Sequence, residues 1–258
     1  MNKKNNKEYL ISSIVKALDV ILILNSNEDI SIRKLGEKLN ISKSTLHRIL
    51  RTLEHKDFVR QDIKNKNYSL GLKFYELGNK IKDKFKIRNI SYPFMKDLNN
   101  LYQETVQLAI IDKETILIVE SIEGIKELRV FAPAGRRLSI TYGNFGKIFL
   151  AQMPYETILD FLKKYPLKKY AENSIVDEKL FLQEIENVKI KGVAVGIDDP
   201  IDAAFTVAVP IFGYNKDVIA SIGLSGAKIP KNMGKLQQIE LSLKEISRQI
   251  SAQSGLKI

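Results

Sequence analysis

A chain of 258 residues with 44% hydrophobic side chains is long enough for two domains and supports at least one substantial core. The absence of cysteine excludes disulfides, thiolate nucleophiles and thiolate metal sites, and is compatible with a reducing compartment. The net charge of +11 is unevenly placed: residues 1–90 carry 20 Lys and Arg against 10 Asp and Glu, residues 91–258 only 21 against 20, so the first third alone points to a polyanionic partner, nucleic acid rather than a membrane surface.

Residues 9–24 follow Lys3, Lys4 and Lys7 in the manner of a signal peptide, but Lys16 and Asp19 interrupt the apolar run and no small-residue cleavage pattern follows. No apolar run approaches a membrane span, so a cytoplasmic protein without membrane contact is expected. Ser12 or Ser13 is the expected cap of a first helix whose stripe of Ile14, Val15, Leu18, Ile21, Leu22 and Leu24 would pack on the next two helices. Over residues 31–53, Ile32, Leu35, Leu39, Ile41, Leu46, Ile49, Leu50 and Leu53 recur at spacings of three and four, broken only at Asn40–Ser42. This is the pattern of a helix-turn-helix. Short strands at 58–60 and 68–70 around a turn rich in Lys and Asn read as a wing, and residues 72–86 as a connecting helix.

The second helix of the motif offers donors to solvent. Ser42 caps it, Ser44, Thr45 and Arg48 are the candidates for base edges, and His47 is a DNA-facing donor or a plain surface residue. Lys34, Lys43 and Arg51, with Arg60, Lys64 and Lys66 on the wing, are the candidates for phosphates. His47 and His55 are the only histidines and make a poor metal site, His55 reading as a helix-end residue.

Beyond residue 89 helices and strands mix: a helix at 93–104, a hairpin of TVQLAIID and TILIVES, strands at 128–131, 192–197, 205–212 and 218–225, helices at 146–152, 155–164 and 178–189, and a last helix carrying Leu236, Ile239, Leu243, Ile246 and Ile250. An α+β, sensor-like sheet is expected. Gly143–Lys147 is too short for a phosphate-binding P-loop, and Ile148 follows where Ser or Thr belongs. Asp198 and Asp199 are adjacent and read as turn residues leading into Pro200, not as an acid/base pair.

The run K-S-T-x-x-R-x-L-x-T-L at Lys43–Leu53, Y-x-L-G at Tyr68–Gly71 and L-G at Leu77–Gly78 resemble the winged helix-turn-helix of the IclR family of bacterial transcriptional regulators. G-R-R-L at Gly135–Leu138, G-K at Gly146–Lys147 with Leu150–Ala151, A-x-P-I at Ala208–Ile211 and S-G at Ser225–Gly226 extend the resemblance over nearly the whole chain. It implies a winged helix-turn-helix domain (1–71), a connecting helix (72–88) and a GAF/PAS-like α/β domain (89–258) that binds an effector and oligomerises. It also implies a homodimer or homotetramer on a palindromic promoter site in double-stranded DNA, with repression favoured over activation. By the same resemblance a small-molecule effector would meet Gly143, Asn144 and Phe145, then Gly196, Asp199 and Thr206, then Gly223 and Ser225. Gly196 and Gly223 stand where the family more often has an acid and a serine, which leaves room for a larger or less polar ligand. No cofactor and no metal are expected. An enzyme with a nucleic-acid tether is disfavoured, because residues 91–258 hold no histidine, no cysteine and no nucleophile beside an obvious base. The other alternative is an architectural DNA-binding protein whose second domain only oligomerises.

Overall fold

In the computed structural model, which describes residues 9–26, 29–131 and 133–255, the chain forms two compact units, Met1–Lys84 and Phe85–Ile258. The first holds helices α1 (Ser12–Asn25), α2 (Ile32–Leu39) and α3 (Lys43–His55), strands β1 (Val59–Gln61) and β2 (Tyr68–Leu70), and helix α4 (Lys73–Lys84). Between α2 and α3 the chain turns through Asn40 in the left-handed region (φ 51°), a conformation asparagine tolerates, and Ser31 and Ser42 cap the two helices by accepting the Lys34 and Thr45 amides. Gly36 lets this turn close tightly, since a Cβ there would stand 3.2 Å from the Ile41 carbonyl oxygen. Val20 and Leu24 of α1, Leu35 of α2, and Leu46, Ile49 and Leu50 of α3 close a core completed by Val59 and Tyr68 of the wing. Tyr68 also exchanges both backbone hydrogen bonds with Ile30, which pins β2 to the residue before the α2 cap.

Two expectations for α1 fail. Neither Ser12 nor Ser13 caps it; the cap position is Ile11, whose carbonyl accepts the Ile14 and Val15 amides. Of the expected stripe only Leu24 is buried; it joins Val20, with Ala17 and Ile23 packed beside them, whereas Ile14, Leu18 and Leu22 are 53%, 54% and 64% exposed. Because α1 is apolar on both faces, helical periodicity alone does not choose which face turns inward.

The second unit is built on one antiparallel sheet in the order β5-β4-β3-β8-β7-β6. In chain order its elements are α5 (Lys86–Tyr102), β3 (Thr105–Asp112), β4 (Thr115–Ile122), β5 (Arg137–Ser139), α6 (Gly143–Leu150), α7 (Tyr155–Lys164), α8 (Glu178–Lys191), β6 (Ala194–Ile197), β7 (Ala204–Phe212), β8 (Val218–Ala227), α9 (Pro230–Met233) and α10 (Leu236–Gln253). Side chains alternate across the sheet. Val106 and Leu108 of β3, Phe205, Val207, Val209 and Ile211 of β7, and Ile222 and Leu224 of β8 pack against α5 and α10. The intervening positions are smaller, Ala109, Ala208 and Gly223 among them, and face α6, α7 and α8. The result is a GAF/PAS-like α+β domain with helices on both faces of the sheet.

The expected strand at 128–131 is a loop. Thr105 Oγ1 donates to the Val130 carbonyl (2.7 Å), Ile125, Leu128 and Phe131 are exposed, and the place beside β4 is taken by β5, which the sequence reading missed. Helix α5 begins seven residues before the expected start and runs through Pro93. Packing of Ile87, Ile90 and Phe94 on the core outweighs the hydrogen bond that proline removes. Helix α6 starts at Gly143 and not at 146, so Asn144 and Phe145 belong to its first turn.

Candidate functional site

Two places carry chemistry, one in each unit. With Leu46, Ile49 and Leu50 of α3 turned inward, the 100° step of a helix puts Ser44, Arg48, Arg51 and His55 along the outward line, with His47 beside them. Lys43, in the first turn, is also exposed. Thr45 lies at the flank: its hydroxyl accepts from Ser42 Oγ (3.0 Å), and it lines a groove between α1 and α3 with Ser12, Ser13, Lys16 and Arg48. Ser42 is committed to the cap, yet the first-turn amides of Lys43 and Ser44 have no partner within the helix and remain available to an anion. Lys34 is exposed on α2.

The wing adds cations in fixed geometry. Arg60 Nε donates across the hairpin to Ser69 Oγ (3.0 Å), and Lys64 and Lys66 stand exposed in the turn. Asp62 holds that turn, accepting the Lys64 and Asn65 amides at 2.8 and 2.9 Å; those two hydrogen bonds keep its carboxyl below the usual value, with Arg60 and Lys66 assisting. Gly71 ends the wing, since any Cβ there would stand 2.1 Å from the Asp57 carbonyl oxygen.

In the second unit a cavity of about 40 Å³ opens between the sheet and the start of α6. Strand register assembles its floor. Thr206 of β7 faces Ser225 of β8 with hydroxyls 3.1 Å apart, and Gln107 of β3 lies two pairs along, opposite Gly223. Gly143, Asn144 and Phe145 form the α6 side, Ile118, Leu138 and Val130 a second wall, Pro200 and Ile201 a third, with Arg136 and Tyr142 completing it. Burial pushes the Tyr142 phenol above its usual value, with Tyr170 and Asp199 reinforcing the shift and Arg136 opposing it. The Tyr170 ring meets Tyr142 edge-on at 4.7 Å.

Of the eight residues expected at this site, Gly143, Asn144, Phe145, Thr206 and Ser225 line the cavity and three stand behind it. A Cβ on Gly196 would lie 2.7 Å from Asn144 Nδ2, and one on Gly223 would lie 2.8 Å from Phe145 Cζ. The room these glycines suggested is therefore filled by Asn144, whose Nδ2 donates to the Thr206 carbonyl (2.8 Å), and by the Phe145 ring. Asp199 is engaged elsewhere. Its Oδ2 pairs with Lys147 Nζ at 2.7 Å and its Oδ1 accepts from Ser174 (3.1 Å). Its neighbour Asp198 pairs with Lys228, which holds the Asp198 carboxyl below its usual value.

Gln107, Arg136, Tyr142 and Lys147 were not anticipated. Gln107 did carry a signal, a lone amide in an otherwise apolar alternating strand, and so did Lys147, the one charge in an α6 whose residues are all buried. Among the described residues there is no group of three or more His, Cys, Asp or Glu able to hold a metal, and no helix long and apolar enough to cross a membrane.

Comparison with known proteins covers both units. Residues 13–62 match the IclR helix-turn-helix domain, and residues 80–252 match the profile described as bacterial transcriptional regulator IclR C-terminal. The chain is similar to the transcriptional regulator KdgR of Escherichia coli (27% identity, 95% of this chain and 93% of that one). Its similarity to KipR of Bacillus subtilis is at the same level (28%, 94% and 97%). Among solved structures it resembles the IclR protein of Thermotoga maritima, with a TM-score of 0.79 and 28% identity over 95% of this chain and 99% of that one.

Proposed function

The chain belongs to the IclR family of bacterial transcriptional regulators, so it is a DNA-binding regulator of transcription and not an enzyme; from that premise we propose that two copies bind a palindromic promoter site and that a small metabolite in the second unit modulates this binding. The observation that carries the reading is the outward line of α3. In this reading Arg48, exposed on that line, bridges the two acceptors of a guanine, a contact worth about 1–3 kcal/mol of discrimination, with Ser44 reading the next base edge and Thr45 one at the flank. Lys34, Lys43, His47 and Arg51 with Arg60, Lys64 and Lys66 take phosphates, and the Ser42 cap sets the register of the helix.

One α3 helix reads too few base pairs to specify a site in a genome, so a two-fold arrangement is required. The exposed face of α1 supports it. Ile14, Leu18 and Leu22, spaced four apart and all more than half exposed, form an apolar stripe suited to a second copy of the same stripe. A DNA partner places the protein in the cytoplasm, and competition for promoter DNA makes repression the favoured outcome.

The effector site is the cavity between the sheet and the start of α6. The α6 amides and Arg136 favour an anion, and the Thr206 and Ser225 hydroxyls supply further hydrogen bonds. The test is native mass spectrometry of the full chain on a duplex selected by the wild-type protein from a random pool. Two or four chains per duplex, reduced to one in Leu18→Glu, is the expected result; a single wild-type chain per duplex contradicts the reading.

A further inference from the structure

The wing ends in a turn whose shape is set before any partner arrives. Besides the two amides held by Asp62, Asn65 Oδ1 accepts the Asn67 amide (2.8 Å), Gln61 Nε2 donates to the Lys66 carbonyl (2.9 Å), and backbone bonds from Asp62 to Asn67 and from Lys66 to Asp62 close the hairpin. The side chain this network leaves outermost is Ile63. It is 85% exposed, more than any other large aliphatic side chain among the described residues.

The other tip residues obey turn chemistry. Asp62 and Asn65 use short polar side chains to hold the backbone, and Lys66 takes the left-handed position (φ 59°). A branched aliphatic has no such task. The carboxylate of Asp62 is turned onto backbone amides, so the outer surface of the tip is an isoleucine set among Arg60, Lys64 and Lys66. A tip with an apolar point and cationic shoulders matches a DNA groove whose rims are phosphates and whose floor is stacked bases.

We infer that Ile63 is a minor-groove wedge: while α3 occupies the major groove and the wing cations hold the flanking phosphates, the isoleucine enters the adjacent minor groove and partly unstacks one base step. The inference rests on the DNA-binding reading above and adds to it a source of sequence choice that involves no hydrogen bond. Pyrimidine–purine steps open most easily and are the preferred place for such a wedge, so selection there follows from deformability.

The experiment uses the full chain and the selected duplex, end-labelled for energy transfer to report bending. Wild-type protein is expected to bring the duplex ends together. Ile63→Ala is expected to bind roughly tenfold more weakly with a smaller bend and an unchanged salt slope, because no phosphate contact is lost. Lys64→Ala is expected to reduce the salt slope by about one instead. Replacing adenines by 2,6-diaminopurine adds an amino group to the minor-groove floor, and this should weaken the wild-type protein more than Ile63→Ala. Equal bend and affinity for wild type and Ile63→Ala, or equal sensitivity of the two to diaminopurine, overturns the inference. No binding by the wild-type chain overturns the DNA-binding reading itself.

Discussion

Lys147→Met tests how the ligand cavity is held together. Lys147 and Asp199 have side chains only 6% and 12% exposed, and their 2.7 Å ion pair ties the middle of α6 to the turn that carries Pro200 and Ile201. Removing one partner of a buried pair costs about 3–5 kcal/mol, because the other charge stays desolvated. Two features place this case at the low end. Asp199 keeps the Ser174 hydroxyl at 3.1 Å, and its residual exposure lets water reach the carboxylate, so the expected loss is about 3 kcal/mol. For a unit of this size that corresponds to a fall of roughly 6–12 °C in the Tm of the second unit, read by calorimetry of the full chain. Lys147→Met combined with Asp199→Asn removes both charges and should lose less than half as much as Lys147→Met alone, so the two sites couple strongly in the double-mutant cycle. A single-variant loss below about 1 kcal/mol with no coupling would refute the argument that this pair holds the cavity wall.

Two further outcomes follow from close contacts and from pKa direction. Gly223→Ala places a Cβ 2.8 Å from both Phe145 Cζ and the Val207 carbonyl oxygen. The carbonyl belongs to the sheet, so the ring must move toward the cavity, at a cost of about 1–3 kcal/mol. Thermal melting should register that loss, while a panel of small monocarboxylates should no longer shift the variant's melting and DNA affinity should stay at the wild-type level. At the wing, the Asp62 carboxyl is held below its ordinary value of 3.8, so its contribution is complete above that pH and disappears as pH falls through the lower, folded value. The Lys64 and Asn65 amide resonances should therefore titrate below pH 3.8; a midpoint at or above it would contradict the two amide hydrogen bonds.

The helix-turn-helix was legible because both of its signals are local. Apolar spacing set the helices, and the Asn40 and Ser42 positions set the turn. The wing and the paired strands β3 and β4 were legible for the same reason. What failed depended on partners distant in sequence. Helix α1 offers two apolar faces, and only the positions of α2 and α3 decide between them. The run at 128–131 has strand composition but no neighbouring strand, whereas the short and weakly patterned β5 is called into the sheet by β4. In the cavity, family-like spacing found the α6 residues with Thr206 and Ser225. It could not show that Phe145 fills the space left by Gly223, or that Asp199 is already paired with Lys147, because both facts are set by residues at least fifty positions apart.

The central claim is that α3 reads sequence while the surrounding cations bind phosphate, and fluorescence anisotropy tests it most directly. Wild-type chain and Arg48→Ala are titrated with the selected duplex and with a scrambled one, at roughly 50 and 200 mM salt. The account predicts a steep loss of wild-type affinity with salt. Arg48→Ala should lose about tenfold or more on the selected duplex, little on the scrambled one, and keep most of the salt slope. A flat salt response, or equal losses on the two duplexes, would contradict it.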